Sequence, residues 1–289
     1  MKGAFIGSEA LAQGLVTRND LRHHYRRLFP DVYACAEPTL RDRTAGAWLW
    51  SGRRAVIAGI AASALHGAAW VDADIPIELI WRSSRPATGL IVRNEILADD
   101  EITRVAGLTV TTPARTAFDL GRHFPRDEAV ARLDALAWTR RVTTDDVLPL
   151  IARYPSVRGI RRLKDALSLV DAGADSPPET RLRLQLTDAR MPPDETQITV
   201  VEGRSRRLAI LDMGWRRFGV AVNYDGAYHQ TDRRRYVRDH KILRRLQELG
   251  WIVIRVIAED DIADVLVRVE RALLSRGWHP HSPQGQIPA

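Results

Sequence analysis

Apolar positions recur along the chain in two rhythms. Near the N-terminus, residues 8–14 and 18–27 read as short helices. Ser8 is placed to cap the first, which stops at Gly14. Thr17 caps the second, with Asp20 as its capping-box partner. The segment "LFPDVYAC" then reads as a short strand after a turn. Residues 44–70 read as two helices, the second drawn from "AVIAGIAASALHGAAWV" and packed tightly through its small side chains. "IPIELIW" and "GLIVRNEI" have strand character. "TVTTPARTAFDLGRHF" begins as a strand and turns helical at Pro113, with Thr112 as cap and Ala117, Phe118 and Leu120 facing inward. Helices follow at about 126–138, 143–152 and 156–170.

"VDAGADSPPE" interrupts this periodicity with small residues, acids and two prolines, and predicts a domain boundary near 172–176. Beyond it the order is a helix at 177–190, strands in "QITVVEG", "RLAILDMGW" and "FGVAVNYDG", a long helix at 232–249 closed by Gly250, a strand in "WIVIRVI" and a final helix. That αβββαβ order with a closing helix predicts a mixed α/β sheet flanked by helices. The expected division is therefore 1–40, 41–172 and 176–277, with a frayed tail at 278–289.

Composition adds a compartment and a partner class. The 45% apolar and 27% charged content of the 289 residues is that of an ordinary globular chain. A lone cysteine, Cys35, excludes an internal disulfide and fits a reducing cytosol. No apolar run reads as a signal peptide or membrane span, so a cytoplasmic protein without membrane attachment is expected. The net charge is +7 and almost all the cations are arginine, since only Lys2, Lys164 and Lys241 are lysines. GC-rich coding explains much of that bias, but arginine also suits bidentate phosphate contact, and a basic cytosolic chain points to nucleic acid, here DNA. At the N-terminus, helix, turn, basic helix and strand give the outline of a winged helix-turn-helix, with Arg18, Arg22 and Arg26 as phosphate contacts.

"SEALAQGLVTRNDLRHHYRRLFPDVYA", "AASALHGAAW" and above all "GLTVTTPARTAFDL" resemble the antitoxin of AbiE-type (type IV) toxin–antitoxin systems over roughly residues 1–165. The resemblance implies a winged helix on operator DNA, followed by a small α/β region, with a toxin as partner. Antitoxin-like sequences also occur without a paired toxin, so DNA binding carries over more readily than toxin control.

The C-terminal region carries candidate chemistry. Strand alternation puts Asn223 and Asp225 on one face of "VAVNYDG", with Val220, Val222 and Tyr224 on the other. Asp212 is expected to end the neighbouring strand, and His229 lies a short loop further on. Each residue also has a local reading. Glu179 completes a capping box with Ser176, Asp225-Gly226 is a turn pair, Asp212 precedes a turn at Gly214, and His229 stabilises a loop. Together with Glu179 on the first helix, these residues resemble the PD-(D/E)XK nuclease superfamily, most closely the very-short-patch-repair-like endonucleases, over about 176–277. The resemblance implies a restriction-endonuclease-like domain with Glu179, Asp212, Asn223, Asp225 and His229 as its catalytic set. Asp212 and Asp225 would hold Mg²⁺ or Mn²⁺, and His229 would act as the acid–base group. Asn223 is the departure. It stands where uncharacterised relatives of those endonucleases carry an acid, although the very-short-patch-repair-like enzymes themselves manage without one there, and the superfamily's lysine has no obvious equivalent.

The following helix is expected to bury Tyr236, Leu243, Leu246 and Leu249 and to offer Arg234, Arg235, Arg238 and Lys241 to a nucleic-acid backbone. Two functions follow. One is a DNA-binding, metal-dependent endonuclease, which the residues do not separate from an RNA-directed one. The other is a non-catalytic DNA-binding regulator or antitoxin with a degenerate nuclease fold.

Overall fold

The computed structural model describes residues 3–82, 85–203, 206–226 and 233–280, with the backbone alone at 233–236. The chain forms two compact units, Met1–Ala172 and Gly173–Ala289.

The first unit opens with β1 (Phe5–Ile6), α1 (Gly7–Ala12), α2 (Arg18–His23), β2 (Arg26–Phe29) and β3 (Val32–Ala34), whose strands pair in the order β1-β3-β2. Thr17 caps α2 as expected. Its hydroxyl accepts the Asp20 amide while the Asp20 carboxylate accepts the Thr17 amide. Ser8 does not cap α1. It lies inside that helix, and its amide and hydroxyl both donate to the Asp31 carboxylate from the β2–β3 turn. The expected helix at 18–27 ends at His23, and Arg26 falls on β2.

α3 (Leu40–Trp50), β4 (Val56–Ala58) and α4 (Gly59–Leu65) follow. The run expected to be one buried helix is therefore a strand and a helix. Val56 and Ile57 are β-branched and suit the strand, which pairs with neighbours on both sides. β5 (Ile77–Ile80), β6 (Leu90–Arg93), β7 (Ile102–Val105) and β8 (Leu108–Thr111) complete a sheet of order β6-β5-β4-β8-β7. β7 was not expected from the sequence, because its residues "ITRV" are too few and too polar to show alternation. One core joins Phe29 and Val32 to Ala47, Ile57, Leu79 and Val110, so packing runs straight across residue 40. α5 (Pro113–His123), α6 (Arg126–Trp138), α7 (Leu148–Arg153) and α8 (Ile160–Leu167) close the unit. α5 starts at Pro113 with Thr112 as its cap.

The second unit has the order α9 (Pro177–Asp188), β9 (Glu195–Glu202), β10 (Arg206–Trp215), β11 (Val220–Tyr224), α10 (Arg233–Glu248), β12 (Ile252–Val256) and α11 (Ile262–Ser275). Its sheet order is β12-β11-β10-β9, antiparallel except for the β11–β12 pair, which α10 connects. Val220, Val222 and Tyr224 pack on one face with Leu182, Val265 and Val269, and Ala221 packs on the other with Leu246. The alternation expected for β11 holds. On α10 Leu246 is buried with Ile242 half-buried beside it and Leu243 is half-buried, whereas Leu249 just past the helix is exposed, and the Tyr236 side chain lies outside the described residues. No helix among the described residues is long and apolar enough to cross a membrane.

Candidate functional site

Asp212, Asn223 and Glu179 come together in the second unit. Asp212 does not end its strand. β10 runs on through Gly214, which marks a close approach of strands and not a turn, since a Cβ there would lie 2.4 Å from the Val220 carbonyl oxygen. Leu211 and Met213 pack on opposite faces although they are two residues apart, so the alternation breaks at Asp212. On β9 the break meets Gln197, which has φ +49° and falls between the paired residues Ile198 and Thr196. A left-handed non-glycine residue inside a strand stores on the order of 1–3 kcal/mol of strain, which such sites keep when the surroundings hold it in place. Here the Gln197 amide nitrogen donates to Glu179 Oε2 at 3.4 Å.

Two hydrogen bonds lock β10 to β11 at this point. The Tyr224 amide donates to Asp212 Oδ2 at 2.7 Å, and the Asp212 amide donates to Asn223 Oδ1 at 3.2 Å. Asn223 is thus a strand clamp, with its oxygen turned onto backbone. Burial pushes the Asp212 carboxyl up to about 7, and Glu179 adds to the effect; the Tyr224 amide opposes it, while Asp225 and Asp175 raise it further. Glu179 is also raised, by burial first, although its Ser176 and Asp175 hydrogen bonds pull the other way. Its capping role holds at the same time. The Ser176 hydroxyl donates to Glu179 Oε1 at 2.8 Å and the Asp175 amide donates to Oε2 at 3.2 Å.

Asp225 does not join this pair as an open ligand. Its carboxylate is ion-paired with Arg255, and its amide donates to the Val256 carbonyl at 2.7 Å. His229 lies outside the described residues. Among the described residues, no three His, Cys, Asp or Glu side chains are grouped to hold a metal. The donor chemistry fits Mg²⁺ only in its sparer mode, with two carboxylates and the other positions left to water and phosphate. Asp212 and Glu179 are the two carboxylates that would fill that mode; burial first, and neighbouring acids after it, raises the proton affinity of both. Gln197 and Arg255 were not singled out in the sequence. Arg255 left a trace as the lone charge in an apolar strand, whereas nothing local marks Gln197.

Arg18 and Arg22 on α2, Arg26 on β2, and Arg238 and Lys241 on α10 are all exposed. The Arg234 and Arg235 side chains lie outside the described residues.

A second charged cluster, in the first unit, was missed. The motif "TTPARTAFDLGRH" places Arg115, Asp119 and Arg122 on one face of α5, and all three are buried. Arg115 pairs with Asp119, Glu101 and Glu95, and Arg122 pairs with Asp119 and Glu95. Burial raises Asp119 despite both arginines. Glu95 is also disfavoured by burial, but His123 and Arg122 outweigh this and hold its carboxyl at about 2. The spacing of Arg115, Asp119 and Arg122 by four and three residues was the available signal.

Comparison with known proteins identifies part of the first unit. Residues 52–172 match the family described as AbiEi antitoxin C-terminal domain. This supports an AbiE-type antitoxin-like region there, and nothing comparable supports a fused very-short-patch-repair-like nuclease domain. Two uncharacterized proteins of Mycobacterium tuberculosis, from strains CDC 1551 / Oshkosh and ATCC 25618 / H37Rv, are each 29% identical over 238 residues, covering 81% of this chain and 86% of theirs. No solved structure matches the chain significantly.

Proposed function

We propose that this protein is a DNA-binding regulator of the antitoxin type. The match of residues 52–172 to the antitoxin C-terminal domain carries the reading. It is supported by the basic segment that precedes the match, a capped α2 followed by the β2–β3 hairpin, with Arg18, Arg22 and Arg26 exposed. In this reading those arginines neutralise phosphates as a winged helix-turn-helix does, and a toxin is the protein partner. The test is a gel-shift titration on duplex DNA from upstream of the protein's own gene. Arg18→Ala/Arg22→Ala should weaken binding at least tenfold and reduce the slope of log K against log salt by about 2. Binding and slope equal to wild type would remove α2 from the interface.

A second reading rests on one observation, the convergence of Asp212 and Glu179 with raised proton affinities. It takes the second unit as restriction-endonuclease-like, acting on a nucleic-acid backbone. Asp212 and Glu179 would hold Mg²⁺ or Mn²⁺, and the ion would polarise a phosphate and lower the pKa of its own water. Asn223 clamps the strand that carries Asp212, and Asp225 stays paired with Arg255. Adding Mg²⁺ should then lower the Asp212 pKa, read by carboxyl NMR. Asp212→Ala should abolish Mg²⁺-dependent nicking of plasmid DNA. No titration shift and no nicking would leave the regulator reading alone.

A further inference from the structure

A cavity of about 690 Å³ opens in the first unit, between the end of β6 with its following loop, α5 and the start of α8. That volume lies within the range of small-molecule sites. Arg93, Arg115, Arg122, Arg158 and Arg162 line it, against a single lining carboxylate, Glu95. The inner three arginines have their charge met beneath the surface: Arg93 by Glu78, Arg115 by Glu101 and Asp119, and Arg122 by Asp119.

The outer two differ. Arg158 and Arg162 are exposed, and neither forms a salt bridge among the described residues. Among the described residues the Arg162 side chain donates only to the Phe124 carbonyl, at 3.3 Å. The loop that carries Arg158 is pressed onto α5. Gly159 has φ +89°, and a Cβ there would stand 2.4 Å from the Arg122 carbonyl oxygen. The same glycine precedes α8, whose first turn has no side-chain cap.

Glu95 shows the chemistry that the cavity floor accepts. Arg115 Nη2 lies 2.7 Å from its carboxylate, Arg122 also binds it, and His123 Nε2 is 3.5 Å away. Glu95 reaches this position from a loop and not from the strand, since β6 ends at Arg93 and Ile96, which follows Glu95, is 83% exposed. Two guanidiniums without an ion-pair partner among the described residues, at the mouth of a concave, partly apolar wall, concentrate a field that favours anions. A cavity is also the wrong shape for a duplex backbone, which needs an open surface.

We propose that this cavity binds a small organic oxyanion, with its phosphate or carboxylate between Arg158 and Arg162 and its body beside Tyr154 and Val157. The site goes beyond the regulator reading and does not depend on it. The test is isothermal titration of the full-length chain at low salt with adenosine monophosphate, citrate and inorganic phosphate. One of the two organic anions should bind with 1:1 stoichiometry, at least tenfold more tightly than inorganic phosphate. Preference for adenosine monophosphate identifies a phosphate ligand, and preference for citrate a carboxylate.

Arg158→Ala/Arg162→Ala should weaken that binding at least tenfold with the near-ultraviolet circular dichroism unchanged. Arg206→Ala/Arg207→Ala, exposed in the second unit, should leave it intact. Absence of saturable binding, equal affinity for inorganic phosphate, or indifference to the Arg158/Arg162 change would overturn the proposal. So would an Arg158/Arg162 effect confined to duplex DNA, which would make the pair a backbone contact.

Discussion

Asp212 retains its proton up to about pH 7 because burial and Glu179 outweigh the Tyr224 amide. An unfolded aspartate titrates near pH 3.9. The folded state therefore holds this proton more tightly than the unfolded state does. The stability tied to it is fully present below about pH 4, is lost as pH climbs through about 7, and stays lost above. Asp212→Asn keeps an acceptor for the Tyr224 amide and removes the titration. It should match wild type in urea unfolding at pH 4 and exceed it at pH 8, on the order of 2 kcal/mol once solvent screening is allowed for. Equal unfolding midpoints at pH 8 would mean that burial and Glu179 do not raise the proton affinity of Asp212. At this scale Asp212, Glu179 and Asn223 were legible as candidates, because polar side chains inside an apolar strand or at a helix start stand out in the sequence. The pairing of Asp225 with Arg255 was not, since strand position says nothing about which cation arrives from β12.

α5 carries its charge inward. Arg115 is 2% exposed and reaches Asp119, Glu95 and Glu101 at once, a geometry that only a planar five-donor fork satisfies. Arg115→Met should cost about 3–5 kcal/mol in urea unfolding of the first unit, because it leaves buried carboxylates unpaired. Arg115→Lys should recover little of that. Adding Asp119→Leu to Arg115→Met should recover part of it, and strict additivity would argue against a coupled network. Gly121 makes the contact between α5 and α8 close, since a Cβ there would lie 2.3 Å from Leu163 Cδ1. Gly121→Ala should cost about 1–3 kcal/mol by overpacking, measured in the same way. The starts of α2, α5 and α9 were legible because an N-cap is a local device. The strand β4 was not, because "VIAGIAA" satisfies helix and strand alike until β5 and β8 supply its hydrogen bonds.

The two units each close their own core. In the first, Ile57, Leu79 and Val110 are buried with Ala47 and Phe29. In the second, Met213, Val222, Ile254 and Val269 are buried with Leu182. Residues 1–172 and 173–289, expressed separately, should each show a cooperative thermal transition by calorimetry, and the full chain should show both. A fragment without a transition would mean that its core is incomplete alone. The calorimetric test also separates the functional readings, since DNA binding through α2 should survive in the first fragment and any Mg²⁺ effect in the second.

Local chemistry alone defines the caps at Thr17, Thr112 and Ser176, the break near residue 172 and the αβββαβ order of the second unit. Each depends on neighbours within a few residues, so a linear reading captures it. Packing alone brings Glu95 and Glu101 to Arg115 across 20 and 14 residues, and Arg255 to Asp225 across 30. It also turns Gln197 left-handed beside Glu179. A charged side chain has many possible partners along the chain, and its choice among them is made by which elements share a core.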